Sequence, residues 1–293
     1  MCPHIFWLCG GEIVCIVFPF VMRPPTGTAQ PPATGIAAKK AWPRHLVVTL
    51  TLVAAAATMF NPIGTTSSLD TLLLLLAAIA SILAPARSLP LQSVVFAAFI
   101  TALVGGTAHG FSAWTGLPFG PLTFGPTSGP QLFNTVPWTV PLVWVIAVFN
   151  SRGVARLVLR PWRKVKNYGF LLIGLTAAQA LIFDLALEPF ARAKHLWLWQ
   201  PTKIPFTWYG ASPLAFCGWT FVVLLILAVI MPFLIRKQPG KPSAPDFMPL
   251  ALWLGAVALF AVNAAQAGFW PAVVVDVIVA AAAAFFSWQG SKW

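Results

Sequence analysis

Long apolar runs separated by short polar segments follow one another along almost the whole chain. The runs are continuous rather than alternating, and several reach the roughly 20 residues that a helix needs to cross a bilayer. Inside a bilayer the backbone must satisfy its own hydrogen bonds, which favours helices over open sheets. The pattern predicts eight helical spans, near residues 46–63, 70–85, 90–108, 136–149, 168–188, 213–235, 248–266 and 269–288. The runs at 70–85 and 136–149 are short, which indicates either tilt or extension into a flanking loop.

The chain before the first of these spans divides into two segments. Residues 1–22 are hydrophobic, and three interpretations stay open: a ninth span, an uncleaved signal-like segment, or translation from an early start codon. Residues 23–45 are rich in Pro, Gly, Thr and Ala and are interpreted as a flexible linker. Residues 46–293 are predicted to form a single transmembrane domain.

Composition supports the same fold class. Mean hydropathy is +0.83 and charged residues make up 8% of the chain, whereas a soluble domain carries about a quarter. We therefore predict an all-α, polytopic transmembrane helical bundle of about eight spans, or nine if residues 1–22 form one. The protein is expected to be integral to a membrane, the bacterial inner membrane in particular, and to contact its lipids.

The net charge of +12 does not indicate a nucleic-acid partner, because the basic residues cluster in short loops beside the apolar runs. With the segment at 39–45 on the cytoplasmic side, 14 of the 18 basic residues fall on that side, as the positive-inside rule requires. The proline-rich loop 109–135 and the aromatic loop 189–212 then both lie on the non-cytoplasmic side. We predict that these two ordered, apolar loops build one site together.

Two of the six carboxylates, Asp184 and Glu188, are four residues apart near the end of a predicted span. This spacing places both on one helix face. Two acids stacked in a low-dielectric setting repel each other when both are ionised, so at least one is expected to keep a proton. A retained proton is what a general acid needs. An interfacial pair that binds Arg192 or Lys194 is the alternative. Asp276, in the middle of the apolar run PAVVVDVIVAAAA, is a second candidate.

Aromatic side chains are concentrated in the two loops. They form either an interfacial belt or a wall for a long apolar ligand or a cation formed during reaction. His109, at the start of the first loop, is either structural or an assisting group. The candidate ligand-binding set is Trp114, Phe119, Phe124, Trp197, Trp199, Trp208, Tyr209 and Trp219.

No metal or soluble cofactor is predicted. The four cysteines lack CxxC spacing and the four histidines are scattered singly, which is not the spacing of a metal site. The sequence also lacks a Walker loop, a GxGxxG after a strand and a nucleophile elbow.

The motifs between Thr115 and Trp219 together resemble one family. TG-LPFG is followed by GP-x-L and VP-x-x-VPL-x-W, and then by D-x-x-x-D/E-P, W-x-W, Y-G and GW. This order is similar to that of membrane carotenoid-biosynthesis proteins of the bisanhydrobacterioruberin hydratase and carotenoid 1,2-hydratase type, over roughly residues 105–225. The later motifs stand at Asp184, Glu188, Pro189, Trp197, Trp199, Tyr209, Gly210, Gly218 and Trp219.

The resemblance implies a hydratase, of the lyase class, that adds water to the terminal C1–C2 double bond of a linear carotenoid or related isoprenoid. From the i, i+4 spacing and the two loops on one side, we expect Asp184 and Glu188 to act as the acid pair, with His109 assisting or orienting water. The chain departs from the family pattern at several polar positions: His109 stands where the pattern has an acid, and Pro121, Leu122 and Phe124 replace a polar run. An alternative therefore stays open, a non-catalytic subunit that binds a carotenoid within a larger membrane-protein complex.

Overall fold

Eight α-helices run through the described part of the chain. The structure, a computed structural model, describes residues 42–59, 68–200, 205–235 and 244–293. The predictions for residues 1–22 and for most of the linker lie outside these residues. The helices are α1 Trp42–Thr58, α2 Ser68–Leu83, α3 Leu91–Thr115, α4 Thr139–Val158, α5 Tyr168–Ala193, α6 Pro213–Ile230, α7 Met248–Gln266 and α8 Trp270–Ser291.

The helix lengths confirm the predicted fold class. Seven helical stretches of 19 to 26 residues are long and apolar enough to cross a membrane, and the shorter apolar helix Arg44–Thr58, which lies within α1, accounts for the eighth predicted span. The protein is an all-α, polytopic integral membrane protein. The sidedness derived from the basic residues stays a prediction.

Three spans, α3, α4 and α5, continue well past their predicted ends, the last of them to Ala193 rather than residue 188. α3 continues past the predicted end at residue 108 to Thr115, where Gly116 adopts a left-handed conformation (φ 78°) and donates its N–H to the Ser112 carbonyl at 2.8 Å. His109 and Trp114 are therefore helical. α4 continues past residue 149 because Arg152 is buried within the bundle, where its guanidinium donates to the Leu234 carbonyl at 2.6 Å.

α4 lies at the centre of the bundle and is the most completely buried of the long spans. It contacts α2, α3, α5, α7 and α8. The closest approach of α3 occurs at Gly105, where a Cβ would overlap the Trp144 indole of α4. A glycine at this position therefore allows a fully buried tryptophan to pack between two spans.

Both long loops lie at the same end of the bundle and pair with each other. β1 (Leu122–Phe124) of the α3–α4 loop pairs antiparallel with β4 (Trp197–Trp199) of the α5–α6 loop, with Leu122 opposite Trp199 and Phe124 opposite Trp197. We call this pair the aromatic ribbon. A second small pair, β2 (Gln131–Leu132) with β3 (Val136–Pro137), closes the first loop on itself.

Candidate functional site

The two carboxylates on α5 are both buried inside the bundle. Asp184 is 0% exposed and Glu188 is 2% exposed. Ala180 and Ala191 on the same stretch of helix are also fully buried, and their small side chains let neighbouring elements approach closely. The acids are therefore not an interfacial pair exposed to water.

Glu188 is held by two indole groups of the aromatic ribbon. Trp199 Nε1 donates to Glu188 Oε2 at 2.8 Å, and Trp197 Nε1 donates to the same oxygen at 3.2 Å. An indole N–H can donate but cannot accept, so Oε2 is the accepting oxygen in both bonds. The W-x-W spacing explains the geometry, because alternate residues of a strand point to the same face.

Asp184 differs from its neighbour in having no hydrogen-bond partner for either carboxylate oxygen within the described residues. It lies one helical turn before Glu188 and interacts with it electrostatically. A buried carboxyl group without donors is costly to ionise. The pair thus combines one carboxyl bound by neutral donors with one that has none.

A third tryptophan holds the same stretch of α5 by its backbone. Trp208 Nε1 donates to the Leu185 carbonyl at 2.9 Å. Pro189 lies inside α5 and has no N–H with which to bond the carbonyl of residue 185. The indole therefore satisfies a carbonyl that the proline leaves without its helical partner.

His109 lies in an aromatic box beneath the first loop. Trp144 Nε1 donates to His109 Nδ1 at 3.0 Å, so in the neutral ring the proton belongs on Nε2. The His109 ring centre lies 4.5 Å from that of Phe119 and 6.1 Å from that of Trp219, and Trp144 stacks on Trp219 at 3.9 Å. Three helices (α3, α4 and α6) and the α3–α4 loop thus meet at the His109 imidazole.

The aromatic ribbon covers both groups. Trp197 and Trp199 bond to Glu188, while Phe124, which lies opposite Trp197, has its ring centre 6.5 Å from that of His109. The aromatic ribbon therefore contacts both the carboxylate pair and the aromatic box. It is formed by the two loops that the sequence predicts to build one site.

An apolar cavity of about 250 Å³ lies beside the carboxylate pair. Phe183, Leu187 and Phe190 line it from one face of α5, and Trp197 closes it from the ribbon side. Asp184, Glu188 and His109 are not among its lining residues. Trp197 consequently links the cavity to Glu188, since it lines the cavity and donates its Nε1–H to this acid.

Two of the ligand-binding candidates lie away from this arrangement. Trp114 is 83% exposed on α3, and Tyr209 packs edge-on against Trp208 and beside Phe269. Trp208 also lines a separate open pocket with Phe206 and Phe216. Phe119, Phe124, Trp197, Trp199 and Trp219, in contrast, all take part in the box or the ribbon contacts.

Sequence reasoning missed two residues that organise the site. Trp144 is the last residue of the motif VP-x-x-VPL-x-W, which carries no sign of its role. A buried indole needs an acceptor, and His109 supplies it. Ser112 fixes the start of the first loop, since its Oγ donates to the Gly120 carbonyl at 3.0 Å and accepts from Phe119 N–H at 3.3 Å. Its position three residues after His109 was the available signal.

No group of three or more His, Cys, Asp or Glu side chains that could hold a metal ion occurs among residues 42–59, 68–200, 205–235 and 244–293.

Comparison with known proteins identifies a family. A family model described as "Carotenoid biosynthesis protein" matches residues 69–283, well over half of the chain. The bisanhydrobacterioruberin hydratase of Haloarcula japonica is 26% identical over 155 residues, which cover 51% of this chain and 50% of that protein. The chain thus spans about half the length of the curated relative it matches. No solved structure matches the chain.

Proposed function

The chain belongs to the carotenoid biosynthesis protein family, and from this premise we propose that it adds water to the terminal C1–C2 double bond of a linear carotenoid. The name of the Haloarcula japonica relative, a hydratase, is consistent with this reaction class. The observation that carries the proposal is the buried Glu188, held by two indole donors beside a second buried acid.

The first step is a proton transfer from Glu188. Because both indoles donate to Oε2, the proton of the neutral acid is placed on Oε1, the oxygen to which neither indole donates. Transfer of this proton to C2 breaks the double bond and leaves a tertiary cation at C1. Asp184 is close enough to interact with Glu188. Because two ionised carboxylates at this distance would repel each other, the pair keeps at least one proton.

The second step is capture of the cation by water. Water forms the C–O bond at C1 and loses a proton to the carboxylate, which restores the acid, so the reaction consumes one water and no oxidant or reductant. The Trp197 and Trp199 rings face positive charge favourably, since an aromatic face attracts a cation. The aromatic ribbon also limits access of bulk water to a reactive intermediate.

The apolar cavity is the binding place for the end group of the carotenoid. Its volume of about 250 Å³ lies just below the usual range for small-molecule sites and suits the end of a long chain rather than all of it. Since Trp197 lines the cavity and bonds to Glu188, a rotation of this indole brings the acid and the double bond together.

His109 has a supporting role in this proposal. Its Nδ1 accepts from Trp144, which directs the Nε2–H toward the box formed with Phe119 and Trp219. It assists by orienting water and by holding the stacked indoles beneath the aromatic ribbon.

The test is conversion of lycopene in a carotenogenic host. Wild-type protein is expected to yield a product with one added water, and the double variant Asp184→Asn with Glu188→Gln is expected to leave lycopene unmodified. The matched control is Asp276→Asn, another buried acid (1% exposed) on α8, which should retain conversion. Undiminished product from the double variant would refute the assigned roles.

A second candidate function is stoichiometric carotenoid binding without turnover. It is favoured by one observation, that neither acid lines the apolar cavity. The absorption spectrum of the purified protein distinguishes the two functions. One equivalent of unmodified carotenoid, together with no new pigment in the host, would favour binding, whereas a new hydrated pigment favours catalysis.

A further inference from the structure

Four arginines converge on a small pocket at the end of the bundle opposite the aromatic ribbon. The pocket has a volume of about 80 Å³ and is lined by Arg87, Arg152, Arg156 and Arg160. Arg152 and Arg156 are one turn apart on the same face of α4, Arg160 follows in the next turn, and Arg87 comes from the 3-10 turn Pro85–Arg87 after α2. Two separate segments of the chain thus direct cations toward one point.

The carboxylate at this pocket already has partners outside the arginine group. Asp246 lines the pocket, but its Oδ2 is already paired with Arg44 at 3.0 Å. Arg44 is not among the residues that line the pocket. Four positive side chains therefore share a concave surface with one carboxylate that is engaged elsewhere.

Basic residues at a helix end can simply fix membrane orientation or complement the helix dipole. Neither role requires a buried arginine in a concave pocket. Arg152 is 5% exposed, donates Nη2 to the Leu234 carbonyl, and has a buried Nε with no hydrogen-bond partner among the described residues. A buried donor without an acceptor costs free energy, which a bound anion would recover.

The arginines near this pocket repel one another. Partial burial and the neighbouring charges of Arg163 and Arg156 lower the pKa of Arg160. An anion bound among the guanidinium groups would offset this repulsion. Arginine suits phosphate oxygens especially well, because its planar fork can donate two parallel N–H···O bonds.

We propose that Arg87, Arg152, Arg156 and Arg160 form a binding site for a phosphate group. A volume of about 80 Å³ exceeds the space of a single water several-fold and suits one tetrahedral anion. The phosphate can come from two sources, a phospholipid headgroup at the membrane surface or a free phosphate ion. The proposal is independent of the reaction at the other end of the bundle.

The experiment uses the purified full-length chain in detergent. Binding of phosphatidylglycerol and of phosphatidylcholine is measured by native mass spectrometry, and inorganic phosphate is titrated while the midpoint of thermal unfolding is followed. Potassium chloride at matched ionic strength controls for screening. Phosphate titration with sodium chloride in excess then repeats the measurement at constant salt.

The variant is the double change Arg87→Gln with Arg156→Gln, which leaves the buried Arg152 and its bond to Leu234 in place and so limits the risk of unfolding. The matched control is Lys164→Gln with Lys166→Gln, which removes two exposed cations at the same end of the bundle. We expect affinity for the bound phosphate species to fall at least about tenfold in the first variant, as for loss of a charge-assisted hydrogen bond, and to stay within about twofold in the control.

Each outcome decides the question. Arginine-dependent binding of the phospholipids identifies a headgroup site, and arginine-dependent stabilisation by inorganic phosphate with no lipid preference identifies a free anion. Absence of both, or an equal loss in the lysine control, would overturn the proposal and leave these arginines as orientation signals.

Discussion

The acids beneath the aromatic ribbon and the arginines at the other end of the bundle are held in different ways. Beneath the aromatic ribbon, Glu188 is held by two neutral indole donors and Asp184 has no hydrogen-bond partner in the described part of the chain. At the other end Arg152 bonds to a backbone carbonyl, and Arg44 pairs with Asp246. The first end thus holds Glu188 with neutral donors, whereas the second places cations beside oxygen acceptors.

This difference suits the carboxylate end to proton transfer and the arginine end to binding. A carboxyl group bound by neutral donors can gain and lose a proton without breaking an ion pair, which suits a general acid. An arginine stays charged and serves as a fixed binding group. The comparison predicts that changes beneath the ribbon reduce conversion, while changes at the cationic end reduce stability or anion binding.

The largest expected effect is that of Glu188→Gln. The amide keeps the size of the side chain and can still accept from Trp197 and Trp199, but it has no acid proton to transfer. Conversion of lycopene should fall by about 100-fold or more, the usual contribution of a general acid. Pigment extraction and chromatography measure it, with Asp276→Asn as the control.

Loss of the indole donors should have a smaller effect. In the double variant Trp197→Phe with Trp199→Phe, the apolar wall remains but both bonds to Glu188 disappear. Conversion per molecule of protein should fall about tenfold, which is equivalent to about 1.4 kcal/mol, the size of a typical net hydrogen-bond contribution. Phe190→Leu, which alters a cavity ring that does not bond the acid, is the comparison. Equal losses in both would show that ring packing rather than N–H donation matters.

Trp144→Phe tests the aromatic box with a milder change. The ring still fills the space against Gly105 and Trp219, but the bond to His109 Nδ1 is lost. We expect the unfolding midpoint to fall by an amount equivalent to about 1 kcal/mol and conversion to decrease a few-fold. A loss of conversion as large as that of Glu188→Gln would place His109 nearer the chemistry than proposed.

The smallest effect is expected at the cationic end. Arg44→Gln breaks the partly exposed pair with Asp246, whose side chains are 11% and 27% exposed. Such pairs contribute about 1 kcal/mol or less, so the unfolding midpoint should change little and conversion should be unchanged. A strong loss of conversion would contradict the separation of the two ends.

Much of the fold could be predicted because its causes are local. The lengths of the apolar runs predict the eight helices. Because the two long loops are separated by an even number of spans, they are predicted to lie at one end of the bundle, where β1 and β4 pair. Several helix ends were wrong, those of α3 and α4 by the largest margins. The end of α3 depends on a left-handed Gly116 bonded to Ser112, and the extension of α4 depends on burial of Arg152 against Leu234, contacts that apolar patterning does not contain.

The site was predictable only in part. The i, i+4 spacing predicts that Asp184 and Glu188 lie on one face of a helix. That the two indoles of the W-x-W motif meet this face is visible only in the fold. That Trp144 donates to His109 depends on α3 and α4 packing at Gly105. That Trp197 lines the apolar cavity while the two acids do not likewise depends on side-chain directions that the sequence pattern does not contain.

The most direct measurement is the pigment content of a lycopene-producing host grown in heavy-oxygen water, with wild-type protein, with Glu188→Gln and without the gene. The account predicts a hydroxylated carotenoid that carries the heavy oxygen only with wild-type protein. Unchanged lycopene in all three cultures, or the labelled product in equal amount from Glu188→Gln, would contradict the claim that this indole-bound acid protonates the carotenoid.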